Sequence, residues 1–157
     1  MTNSRELQRL VDEGQFEDLL RLVSLAEVAQ AWMRYQHKAQ SEADPGFDDP
    51  DWWAVEMWME DRAWANEQRL HDGVLALVAA AETDLDFGVV GAAVIEYIVA
   101  EDEDRLGWLE AQARVSEPFR RSLANIYVWG VQPDAVAERV EAAAGVRLPR
   151  PRKWTGG

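Results

Sequence analysis

The chain contains no cysteine, which excludes disulfides and thiolate metal sites. It has two histidines, His37 and His71, far apart and outside any HExxH spacing, so no metal centre is expected from them. Long apolar runs are also missing. The longest uncharged stretch, Ser122 to Pro133, is too short to span a bilayer. The opening segment, MTNSRELQRLVDEG, lacks the apolar core of a signal peptide. A cytoplasmic protein with no membrane partner is the expectation. Walker, GxGxxG and GxSxG patterns are absent, so no nucleotide-binding loop or serine elbow is expected and no cofactor is implied.

Basic residues are scarce. The chain has 16 Lys and Arg against 29 Asp and Glu, for a net charge of −13. All the acids lie in residues 1–146, where 12 bases oppose them, while the tail VRLPRPRKWTGG carries four bases and no acid. Such a surface repels nucleic acid and anionic lipid and attracts basic proteins. Solubility alone also accounts for it.

What remains is helical periodicity and tryptophan. At 157 residues one domain suffices, and such a chain buries about 70% of its unfolded surface. Asn3 with Glu6 and Ser24 with Glu27 have capping-box spacing, and Gly14 stops the first helix. Leu25, Val28, Trp32 and Tyr35 recur at helical spacing. SEADPGFDDP is a loop, after which Asp49 should cap a helix with Pro50 in its first turn. VVGAAVIEYIVA is read as a buried helix, although its β-branched residues also suit a strand. EDEDRLGWLEAQARV, SEPFRRSLANIYVWG and DAVAERVEAAAG follow as helices, the second ended by Gly130 and with Phe119, Leu123 and Ile126 inward. The expected fold is all-α: a single compact bundle of six to eight helices over residues 1–146, with an extended or disordered basic, proline-rich tail over 147–157.

The stretch DDPDWWAVEMWMEDRAWANE, residues 48–67, holds four tryptophans and seven acids but one base, Arg62. Trp52, Val55 and Met59 share one helical stripe and Trp53 and Met57 another, with Glu56 and Glu60 between them. EDRA should join two helices or kink one. Beyond it Trp64, His71, Leu75 and Val78 line one side, with Leu70, Val74 and Leu77 beside them. Trp52 and Trp64 are expected in the core. Trp53 or Trp58 should then be partly exposed, beside Glu56, Glu60 and Asp61.

Glu96 is the sharpest candidate for chemistry, as the only charged residue between Phe87 and Ala100. A carboxylate in an apolar helix needs a partner. Arg120, Arg121 or the free amides of a helix start could supply it, and an open, unpartnered Glu96 would suit a hydrolase. His71, on an apolar face, reads as a satisfied core histidine. DLDFG spaces Asp84 and Asp86 as a calcium loop does, but Gly88 comes one place early and no acid stands at the twelfth position. The run EDED, residues 101–104, suits a helix N-terminus.

GAAVIEYI (residues 91–98) and SEPFRRSLANIYVW (residues 116–129) resemble the AGPLEDLL-like and DPxFRxxLxxVW-like segments of a bacterial family of unknown function. LAEVAQAWMRYQHKA is similar to that family's opening helix. The resemblance spans residues 24–130. It departs at Ala93 and Val94, where the family tends to have Pro and Leu, and at Tyr97, where it tends to have an acid. It implies a mostly helical intracellular bacterial protein and no assigned reaction.

Three functions fit these features. The first is a module that binds a basic protein, such as an immunity-type or antitoxin-type inhibitor, through Trp53, Trp58, Glu56, Glu60 and Asp61. Aromatic anchors with a charged rim suit an interface. The second is a nucleic-acid mimic whose carboxylates copy phosphates, with no direct nucleic-acid contact. The third is a small hydrolase using Glu96 with Arg120 or Arg121. The first is the expectation carried forward.

Overall fold

The computed structural model describes residues 2–41, 44–99, 102–127 and 134–149, and all regular structure among them is helical. They form two compact units, Met1–Ala80 and Ala81–Gly157.

In the first unit, α1 (Ser4–Asp12) begins where the Asn3 side chain accepts from the Arg5 amide at 3.0 Å. It ends at Gly14, whose φ of 69° is readily available only to glycine. That turn lets Gly14 N donate to Val11 O and Gln15 N to Leu10 O, satisfying two carbonyls of the last turn. After α2 (Phe16–Leu22), a break at Val23 and Ser24 leads into α3 (Leu25–Ala39). The Ser24–Glu27 capping box is present in both directions, at 2.7 and 3.2 Å. Then come α4 (Trp52–Met59), one 3-10 turn (Asp61–Trp64) and α5 (Glu67–Ala80). Helix α3 packs on α4 and α5, and α1 on α2 and α4. Leu10, Leu19, Val28, Trp32, Met57, Val74 and Leu77 lie between them, withdrawn from water.

In the second unit, α6 (Asp84–Val90) runs on through a π-helical stretch (Gly91–Ile95) into a last turn (Glu96–Ile98). The segment VVGAAVIEYIVA is therefore helical through Ile98, despite its β-branched content, and Val99 is extended. Then follow α7 (Glu103–Val115), α8 (Glu117–Leu123) and α9 (Asp134–Ala144). Helix α6 packs on α8, and α7 on α8 and α9. Gly91 sets the closeness of one crossing: a Cβ there would lie 2.1 Å from the Ser122 carbonyl oxygen. Phe87, Ile95, Leu109, Phe119, Leu123 and Ile126 form the interior.

Counting the interrupted α6 once, the described residues hold nine α-helices, not six to eight. The stretch FEDLLRLV is a helix in its own right, α2, parted from α3 by extended backbone at Val23 and Ser24. Helix α4 starts at Trp52, later than expected. Asp49 caps the turn before it, accepting from the Asp51 amide at 2.9 Å. Helix α8 stops at Leu123, and Gly130 lies outside the described residues. Of the basic tail, Arg147–Pro149 are described and Leu148 is buried, while residues 150–157 lie outside. No helix among the described residues is long and apolar enough to cross a membrane.

Candidate protein-binding face

Helix α4 reads WWAVEMWM, so its amphipathicity is weak and two stripes compete for the core. Trp53 (5% exposed) and Met57 (0%) go in. Trp52 is only half-buried, Glu56 stays at the surface beside it, and Met59 is 70% exposed. The expectation that Trp52 is core and Trp53 available to a partner is therefore corrected. Trp52, Glu56 and Glu60 lie four residues apart on one side, and two carboxylates need water more than one indole needs burial. Trp52 accordingly turns its polar end to that carboxylate row, its Nε1 donating to Glu56 at 3.1 Å.

Trp58 and Trp64 form the other end of the segment. Trp64 is buried and its Nε1 donates to the Met57 carbonyl at 3.0 Å, occupying an acceptor at the end of α4. Trp58, half-buried, stacks on it at 3.9 Å with 17° between planes. Gly73 makes the slot, because a Cβ there would come within 2.6 Å of the Trp64 ring. The Nε1 of Trp58 is buried with no hydrogen-bond partner among the described residues.

The acids differ in how far they are engaged. Glu56 also accepts from Gln8 Nε2 at 2.5 Å, and the same amide bonds Asp12 at 2.8 Å, so α1 adds a second carboxylate beside α4. Glu60 sits 3.6 Å from Arg62, and Asp61 is exposed. At the N-terminal end, Asp51 is buried between Arg34, which grips it through two nitrogens at 2.7 and 3.2 Å, and Lys38 at 3.0 Å. Lys38 also holds both oxygens of Asp49 at 3.0 Å. Burial pushes the Asp51 pKa up, but the bonds and charges of Arg34 and Lys38 outweigh it and hold the carboxyl below its ordinary value. Burial and the nearby Asp44 and Asp49 charges both raise the Tyr35 hydroxyl.

Sequence reasoning missed Phe47. It is 79% exposed, one residue beyond Gly46, whose φ is 67°. Its ring meets Trp52 edge-on at 4.9 Å and 76°, and Tyr35 lies against Trp52 at 5.4 Å. The available signal was its place in DPGFDDP, where no helical repeat offers it a buried face. Phe47, Trp52, Glu56, Met59, Glu60 and Asp61 thus form a mixed aromatic and acidic surface, within residues 1–80 that hold 16 acids and 7 bases.

The second unit separates the expected Glu96, Arg120 and Arg121 group. Glu96, half-buried, accepts from the Tyr127 amide at 2.8 Å, a backbone donor beyond the end of α8 rather than at a helix start. Arg120 donates to the Ala113 carbonyl at 2.6 Å, closing the end of α7. Arg121 pairs with Asp84, with its guanidinium 4.3 Å from the centre of the Phe87 ring. The depression beside this helix is lined by Leu85, Val89, Ala92, Ala93 and Tyr97 among others, and not by Glu96. Asp86, fully buried, accepts from the Glu82 and Thr83 amides at 2.9 and 3.0 Å. It is the capping-box partner of Thr83, so DLDFG is a helix start. His71 is half-buried with Nε2 3.4 Å from Glu67, and His37 is exposed. Among the described residues no three acids or histidines gather as metal ligands would.

No family model matches the chain, and no curated protein or solved structure matches it.

Proposed function

We propose that the chain is a protein-binding module that takes a basic protein on the outer face of α4, acting as an immunity-type or antitoxin-type inhibitor. One observation carries the reading: the stripe of α4 that faces water is not purely polar but sets Trp52 and Met59 among Glu56, Glu60 and Asp61. Exposed apolar side chains rimmed by charge are what a desolvated interface core with a steering rim requires. Trp53 is not part of this face, and Trp58 contributes only its outer edge.

The test is recovery of partners from the native host by the tagged full chain, each identified by mass spectrometry. Met59→Ala and a Glu56→Gln, Glu60→Gln, Asp61→Asn triple variant are compared with wild type. Both should lose a basic protein that wild type recovers, and raising the salt should weaken its capture. Folded variants that recover the same proteins as wild type would remove this face from the function.

A further inference from the structure

We infer that Phe47 and Trp52 form the anchor of this face and receive an arginine side chain of the partner, with the Asp44 and Asp48 carboxylates as its counter-charges. The inference rests on the α4 face being the partner site. It adds the side chain recognised and where it sits.

Phe47 is the most exposed of the aromatic rings on this unit, yet it is not loosely placed. Its ring packs in a T-shape with Trp52, which is backed by Tyr35 and tied to Glu56. Asp44 Oδ1 accepts from the Gly46 amide at 3.1 Å, shaping the turn that presents the ring. The bases close to this loop are already engaged. Arg34 is on Asp51, and Lys38 is on Asp49 and Asp51. Asp48, the next residue after Phe47, is exposed, and among the described residues no base pairs with it or with Asp44. An aromatic platform beside two uncompensated carboxylates is complementary to a cation.

The cation's shape narrows the choice. A guanidinium is planar, stacks on a ring and donates to two carboxylates at once, whereas an ammonium is a strongly hydrated point charge. An apolar side chain would cover the rings but leave Asp44 and Asp48 desolvated without partners, which opposes binding.

Fluorescently labelled octa-arginine, octa-lysine and octa-citrulline test this against the full chain, with affinities read by anisotropy. Citrulline keeps arginine's shape and removes its charge. Wild type should bind octa-arginine about five- to tenfold more tightly than octa-lysine, and octa-citrulline not at all. Phe47→Ala should remove the arginine advantage, and Asp44→Asn with Asp48→Asn should weaken both cationic peptides. Circular dichroism checks that each variant folds, as expected for changes at exposed positions. Equal wild-type affinity for octa-arginine and octa-lysine would overturn the choice of arginine. Unchanged binding in Phe47→Ala, with loss in Glu60→Gln/Asp61→Asn, would overturn the anchor while leaving the α4 face standing. Unchanged binding in all variants would remove both.

Discussion

Replacing Gly91 by alanine tests how closely α6 and α8 cross. In an unpacked helix this substitution stabilises, by about 0.5–1 kcal/mol, because glycine loses more backbone freedom on folding. Here the added Cβ would lie 2.1 Å from the Ser122 carbonyl oxygen and 3.1 Å from the Asn125 Cβ. Real Cβ atoms essentially never come within 3.0 Å of a neighbour, so the two backbones must part by at least about 0.9 Å. The obstacle is a helix backbone, which cannot rotate away as a side chain can. Overpacking of this kind costs about 1–3 kcal/mol. The propensity gain offsets part of that, and a net loss of about 1–2 kcal/mol is expected. For a unit of this size each 1 kcal/mol lowers the melting temperature by roughly 4–8 °C. Gly107→Ala is the internal control. Gly107 lies within α7, and a Cβ there meets nothing within 4 Å, so it should stabilise by about 0.5–1 kcal/mol. Urea unfolding of both variants measures the contrast. If Gly91→Ala is as stable as wild type, or tracks Gly107→Ala, the close crossing is refuted.

Acid should weaken the first unit through Asp51. Its folded pKa is depressed, so its stabilisation is full above the ordinary aspartate value of 3.8 and is lost as pH falls through the lower folded value. Asp51→Asn should be less stable at neutral pH and show a shallower acid limb when unfolding is followed from pH 7 down to 2. The stacked tryptophans offer a matched pair. Trp64→Phe removes one of two donors to the Met57 carbonyl, the Glu60 amide remaining at 3.2 Å, whereas Trp58→Phe removes an N–H that has no acceptor among the described residues. Trp64→Phe should therefore be the more damaging by about 0.5–1.5 kcal/mol in urea titrations, and equal losses would count against the orphaned donor.

Where a local rule acts alone, sequence reading held. Ser24 and Glu27 cap α3 because the box is complete within four residues. Phe119, Leu123 and Ile126 point inward because their neighbours are polar or small. It failed where two local solutions were equally good. In WWAVEMWM nearly every position is apolar, so only the row of Glu56 and Glu60 marks the wet side, and Trp52 belongs to that row. One partner of Glu96 is Tyr127, a distant main-chain amide freed by the early end of α8, and no side-chain pattern announces an amide. Phe47 was passed over because a loop offers no period against which an aromatic stands out. Asp86 was weighed as a possible metal ligand when Thr83, three residues before it, had already made it a cap.

The face-to-face indoles of Trp58 and Trp64 also give the protein an optical label of its own. Two such chromophores at 3.9 Å couple excitonically, and the resulting circular-dichroism couplet vanishes once they separate. Both belong to the Met1–Ala80 unit, while in the other unit Trp108 meets Phe119 edge-on at 5.6 Å. A thermal melt read at the couplet and at the amide bands would follow one unit separately from the helix content of the whole chain, with no added fluorophore.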